Sequence, residues 1–156
     1  QLPPASMTKM MTSYLATHEL ALGNLNEQDQ VPVSIKAWKM GGSKMFIREG
    51  RDVALIDLIK GVIIQSGNDA SIAVSEYVAG SEDAFVDLMN QHTKRMGMDN
   101  TQFQNATGWP AKGHFSSAHD MAILAQAIIN DHPEYYSLHK EKYFEFKKHR
   151  QPNRNN

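Results

Sequence analysis

Hydrophobic positions recur at helical spacing over much of the chain. Met7, Met10, Met11, Tyr14 and Leu15 form an i, i+3, i+4, i+7, i+8 stripe, which predicts a helix from about Ser6 to Leu22. Its other side carries Ser6, Ser13, Ala16 and Leu20, and Lys9 is the only charge before Glu19. A helix that is apolar or small nearly all round is buried on most faces. Gly23-Asn24 ends it. Leu55, Ile56, Leu58, Ile59, Val62 and Ile63 make a second broad apolar face, with Asp52 as N-cap and an end near Gln65-Ser66-Gly67. Asn68 caps a third helix to about Ala79, where Gly80 stops it. Ser81 caps a fourth over Glu82 to Met96, with Gly97 at its C-terminus. Ser117 and Asp120 make a capping-box-like start for a fifth, ending near Asn130. Pro133 opens a short helix through His139.

Strand patterning is sparse. Val31-Pro32-Val33 and Lys44-Met45-Phe46-Ile47 read as short strands with Gly41-Gly42 between them, and Lys142 to Phe146 alternates as a third. Pro32 confines the first to an edge. Residues 98 to 116 are loop-like, with Gly108, Pro110 and Gly113. The pattern therefore predicts a mainly α-helical chain with too little strand for a full sheet. Its length of 156 residues suits one domain. With 41% apolar and 21% charged residues the chain has the material for a core, which excludes disorder. A formal net charge of -1 gives no global pull toward nucleic acid or an anionic membrane. The absence of cysteine excludes disulfides, a thiol nucleophile and thiolate metal sites. No apolar run reaches the length of a membrane span. The sequence opens at Gln1 without a signal-peptide pattern and closes on a polar tail, so both ends are expected to be cuts in a longer protein.

The first chemical signal is Ser6-Met7-Thr8-Lys9. A serine hydroxyl is a poor nucleophile without a base in hydrogen-bond reach. Residues three apart on a helix share a face, so Ser6 and Lys9 can bring hydroxyl and amine together. Burial in an uncharged helix lowers a lysine pKa and frees the amine to accept a proton. A chain this long contains the spacing about once by chance. A second instance, Ser137-Leu138-His139-Lys140, lies in a charged stretch and is read as coincidence.

The second signal is Ser66-Gly67-Asn68, where one apolar helix ends and another begins. Capping alone explains Gly67 and Asn68. A catalytic reading adds a second hydroxyl at Ser66 and an amide at Asn68, mounted on a short turn between two buried helices. The other polar features carry less. His114 and His119, beside Asp120, straddle a helix start and lack a ligand spacing, so no metal is expected there. Residues 139 to 156 hold six Lys/Arg against two Glu and read as a solvated surface. Asn105-Ala106-Thr107 fits a glycosylation acceptor, without meaning in a bacterium.

Together, and in this order, the two motifs resemble those of penicillin-binding proteins and serine β-lactamases. Pro3-Pro4-Ala5-Ser6-Met7-Thr8-Lys9-Met10-Met11-Thr12-Ser13-Tyr14 is similar to the nucleophile segment of the low-molecular-mass D-alanyl-D-alanine carboxypeptidases, the penicillin-binding protein 5/6-like group. Gln65-Ser66-Gly67-Asn68-Asp69-Ala70 is similar too, with glycine where class A β-lactamases have aspartate. Residues 80 to 86, Met89-Asn90 and Tyr143-Phe144-Glu145-Phe146 extend the likeness over the whole chain.

The resemblance implies an α+β, β-lactamase/transpeptidase-like fold, of which residues 1 to 156 would be the helical part. It implies a serine-type D-Ala-D-Ala carboxypeptidase that removes the terminal D-alanine from peptidoglycan pentapeptide stems. Ser6 would carry the acyl group, Lys9 would take its proton, Ser66 would pass a proton to the leaving amine, and Asn68 would orient substrate. β-Lactams would acylate Ser6. The expected setting is the bacterial periplasm, peripheral to the inner membrane, with membrane contact only through a tail outside this sequence. No cofactor, metal or nucleic acid is implied. The family's third motif, Lys-Thr-Gly or Lys-Ser-Gly, is not found: Lys60-Gly61 and Lys112-Gly113 lack the middle residue. Two other readings stand beside this one. One is a serine β-lactamase or esterase of the same fold. The other is a non-catalytic fragment that binds wall peptide.

Overall fold

The computed structural model describes residues 1 to 155, so Asn156 at the polar C-terminus lies outside the described residues. A 3-10 turn over Ala5–Met7 runs into helix α1, Thr8–Ala21. Strand β1 (Gln30–Pro32) and the short helix α2 (Ile35–Lys39) follow. Strand β2 (Asp52–Ala54) leads directly into α3 (Leu55–Gln65), and α4 (Asn68–Ala79) and α5 (Glu82–Met96) come next. After a long loop come α6 (Ala118–Asp131) and α7 (Pro133–Tyr136), then a 3-10 turn at Ser137–Lys140. A hairpin of β3 (Tyr143–Phe146) and β4 (His149–Pro152) closes the described chain.

Helix α1 is the partition around which the rest is arranged. It packs against α3, α4, α5 and α6, and residues Met11 to Thr17 are all buried. Small side chains such as Ser13 and Ala16 let these neighbours approach. One apolar cluster lies toward α3 and α4, with Ala16, Leu58, Ile59, Ile64, Ile72 and Val74 at its centre. A second lies toward α5 and α6, where Met11 and Leu15 meet Phe85, Met89, Phe103 and Leu124. Serine caps set the starts of α5 and α6. Ser81 Oγ accepts from the Ala84 amide and Ser117 Oγ from the Asp120 amide. The Asp120 carboxylate itself turns inward and accepts from the Asn100 amide and the Thr101 hydroxyl. Burial opposes its ionisation. The hydrogen bonds from Thr101, Asn100, Ser117 and His119 outweigh that and hold its pKa below the usual carboxylate value.

The structure departs from the sequence pattern at several points. Asp52 is not a helix cap. It sits in β2 opposite Pro32 of β1, and Ala54 is the N-cap of α3. No side-chain cap is needed because the Leu55 and Ile56 amides donate to the carbonyls of Asp29 and Glu27. Lys44 to Ile47 is not a strand. The buried carboxylate of Asp69 accepts from the amides of Met45, Phe46 and Ile47, so these groups have no ladder to join. Asn68 is the first residue of α4 rather than its cap, which is Gly67. Helix α2, capped by Ser34, and strand β4 are not marked in the hydrophobic pattern. Nor is the tail simply a solvated surface. The Arg154 amide donates to Ile64 O, Gln65 Nε2 to Pro152 O and Asn155 Nδ2 to Ile63 O, which ties the tail to the end of α3.

Candidate active site

Ser6 lies in the 3-10 turn just before α1, exposed, with Lys9 one turn ahead. The Lys9 Nζ is 3.4 Å from Ser6 Oγ and donates to the Thr107 carbonyl oxygen at 2.6 Å. The Lys9 side chain is 5% exposed, and no carboxylate pairs with it among the described residues. Burial without a counter-charge disfavours the ammonium, which lowers its pKa to about 8. The local helix supplies the Ser6–Lys9 spacing. The burial comes from the fold around it.

The loop from Asn105 to Trp109 clasps this turn. Asn105 Oδ1 accepts from the amides of Thr107 and Gly108, and its Nδ2 donates to Trp109 O. That internal bracing fixes the Thr107 carbonyl over Lys9. The Gly108 backbone lies against the Ala5–Ser6 peptide so closely that an added methyl would overlap the Ala5 carbonyl, and its φ is +84°. Ala5, a non-glycine residue, is itself held at φ +48°. Thr12 Oγ1 donates to Ala106 O, a further tie between loop and helix. Thr8 Oγ1 meets His114 Nε2 at 2.8 Å. His114 Nδ1 accepts the Gln104 amide, so the ring proton is assigned to Nε2 and donated to Thr8.

Ser66 is the left-handed C-cap of α3, at φ +54°. It lines the same cavity of about 360 Å³ as Ser6 and Lys9, with Met10, Ile63 and Ile128 as part of its apolar wall. Among the described residues no hydrogen bond joins Ser66 to Ser6 or Lys9. Asn68 stands apart from that cavity. Its Nδ2 donates to Gly41 O at 2.8 Å and its backbone amide to Ser43 O at 2.7 Å. The structure thus gathers Ser6, Lys9 and Ser66 around one opening and gives Asn68 to the Gly41–Ser43 segment beside the same turn. Ser137 of the second Ser-x-x-Lys instance spends its hydroxyl on Glu134 O.

A family model described as D-alanyl-D-alanine carboxypeptidase matches residues 1 to 156. The chain belongs to the D-alanyl-D-alanine carboxypeptidase family. Among curated relatives of this carboxypeptidase-family chain, D-alanyl-D-alanine carboxypeptidase DacC of Escherichia coli strain K12 is 50% identical over 161 residues. That match covers 99% of the chain and 40% of the relative, so the chain spans about two fifths of the relative's length. Penicillin binding protein 5 from Haemophilus influenzae is similar in structure, with a TM-score of 0.95 and 42% identity over 97% of this chain and 45% of that one. The fold is therefore the β-lactamase/transpeptidase-like fold, represented here mainly by its helices. Penicillin-binding protein D2 from Listeria monocytogenes, solved in its ampicillin-bound form, has a TM-score of 0.84 at 23% identity, covering 97% of this chain and 62% of that one. At that identity the likeness carries the fold alone.

Sequence reasoning missed Thr107, Gly108 and Asp69 as supports of the carboxypeptidase-family site. Residues 105 to 107, read as a glycosylation acceptor, form the strap that holds Lys9. The only local signal was glycine at 108 in a loop next to Trp109-Pro110.

Proposed function

We propose that residues 1 to 156 are the helical part of a transpeptidase-like catalytic domain, and that Ser6 is the nucleophile of a serine D-Ala-D-Ala carboxypeptidase. The observation that carries this reading is a buried lysine with no counter-ion among the described residues, 3.4 Å from an exposed serine hydroxyl. With its pKa at about 8, about a tenth of Lys9 is the neutral amine at pH 7, far more than for an unperturbed lysine. That amine keeps one N–H on Thr107 O and offers its lone pair to the Ser6 hydroxyl.

Ser6 Oγ attacks the carbonyl carbon of the penultimate D-alanine while its proton passes to Lys9 Nζ. The amide C–N bond then breaks. The leaving nitrogen takes a proton, through Ser66, and free D-alanine departs. Water attacks the resulting ester, the acyl–Oγ bond breaks and Ser6 Oγ regains a proton. Asn68, held at Gly41 O, orients the substrate backbone. The substrate class is the peptidoglycan stem peptide and the setting is extracytoplasmic, as the family description supports. β-Lactams, which present a strained amide to the same serine, are covalent inhibitors on this reading. The similar protein from Haemophilus influenzae, 42% identical, is named a penicillin binding protein, which supports that.

The test is the intact mass of the full-length protein before and after incubation with benzylpenicillin. The expected result is a gain of one penicilloyl group that is lost in Ser6→Ala. An adduct of equal yield in Ser6→Ala overturns the assignment.

A further inference from the structure

Trp109 is 48% exposed, although it follows directly on the two residues that clasp the nucleophile turn. A large aromatic side chain that stays open to solvent beside a reactive serine calls for an explanation beyond packing. Its backbone is fixed at both ends: the Trp109 amide donates to Thr107 Oγ1 at 3.1 Å, and its carbonyl accepts from Asn105 Nδ2 at 2.8 Å. The indole then reaches across to the Gly41–Gly42 turn. A methyl added at Gly41 would lie 3.6 Å from the Trp109 ring. One at Gly42 would lie 3.2 Å from that ring and 2.6 Å from Asn68 Nδ2. Two successive glycines therefore leave room for the indole on one side and the Asn68 amide on the other.

These contacts make Trp109 a bridge. Its backbone is continuous with the loop pressed on Ala5 and Ser6. Its ring rests on the segment whose Gly41 carbonyl anchors Asn68. A rigid aromatic face on the Gly41–Gly42 turn, next to the Asn68 amide, offers apolar area at little entropic cost, because the ring is already held before anything binds. It has no part in proton transfer, since Trp109 is not among the described residues that line the cavity of Ser6 and Lys9.

We infer that Trp109 is a specificity-determining residue: its indole forms an aromatic wall for the apolar side group of the acyl donor, on the acyl side of the bond that Ser6 attacks. In benzylpenicillin that side group is the phenylacetyl group. The inference rests on the acylation of Ser6 proposed above.

The experiment compares acylation of the full-length protein by benzylpenicillin and by 6-aminopenicillanic acid, which has the same reactive ring but no acyl side group. Second-order acylation constants are measured for the wild type, Trp109→Ala and Trp109→Phe. The ratio of the benzylpenicillin constant to the 6-aminopenicillanic acid constant is expected to fall about three- to tenfold in Trp109→Ala, the size of one aromatic contact. Trp109→Phe is expected to restore most of it. An unchanged ratio overturns the inference, whether both constants fall together or neither moves. Absence of any adduct in the wild type would instead sink the reading of Ser6 itself, so the two failures are distinct.

Discussion

Lys9 is the residue on which the proposed chemistry turns, and its state follows from a balance of two local facts. Burial removes the water that would stabilise an ammonium, and the only strong partner supplied is a neutral carbonyl, Thr107 O. The carbonyl fixes the amine in place without supplying the full charge that would keep it protonated. With neutral Lys9 as the proposed base, acylation by benzylpenicillin should rise with pH and level off above an apparent pKa of about 8. The check is the second-order acylation constant from pH 6 to 10. A flat profile across that range would remove Lys9 as the base.

Among the elements, the 3-10 turn and the 105–109 strap work as one unit. Neither is regular enough to hold its shape alone: Ala5 is held at positive φ, and Gly108 must lack a side chain to fit against it. Gly108→Ala adds left-handed backbone strain to an overlap with the Ala5 carbonyl. It is expected to destabilise the protein by about 2 kcal/mol or more. Since the displaced parts carry Ser6 and the Thr107 carbonyl, penicilloyl adduct formation should fall at least about tenfold. Urea unfolding and the intact-mass assay read the two effects separately. Wild-type stability in Gly108→Ala would mean that the strap yields freely, contrary to the close packing seen. The Asp69 carboxylate plays a comparable part at the other motif, since its amide bonds to residues 45 to 47 hold that segment against the start of α4.

Across the whole molecule, three histidines and a tyrosine meet where α1, α5 and the end of α6 join. His18 lies 5.8 Å from His92 and 5.5 Å from His132 between ring centroids, and Tyr14 stacks on His18. Both ring nitrogens of His132 are buried, and among the described residues neither has a hydrogen-bond partner of good geometry. Burial pushes the His92 and His132 pKa values below the usual 6.5, and nearby His18 adds to the shift at both. Backbone hydrogen bonds to Leu88 and Asp131 and the charges of Glu19, Asp131 and Glu134 oppose these shifts only in part, and Arg95 lowers His92 further. His92 and His132 are therefore neutral in the folded state at pH 7. Below about 6.5 the unfolded chain takes up protons that the folded chain resists, so stability is present above that pH and is lost as the pH falls through the depressed values. The urea midpoint should drop between pH 7.5 and pH 5, and His132→Phe should flatten that drop. An equally steep drop in the variant would place the acid sensitivity elsewhere.

The order and type of the helices were legible in the sequence because their causes are local. Serine at 81 and 117, glycine at 80 and 97, and the apolar periodicity act within a turn or two of where they stand. The Ser6–Lys9 pair was legible for the same reason, since one helical turn sets its spacing. Tertiary structure decided what lies far apart along the chain. Asp52 went into a strand because carbonyls at Glu27 and Asp29 had already satisfied the start of α3. Lys44 to Ile47 gave up a strand because the Asp69 carboxylate, 22 to 24 residues away, took its amides. The Thr107 carbonyl came to Lys9 across 98 residues of separation, and the Trp109 ring came to Gly41–Gly42 by the same loop. Local chemistry chose the reactive pair. Long-range hydrogen bonds and burial, which no residue spacing encodes, decided that its lysine is dry and what surrounds its serine.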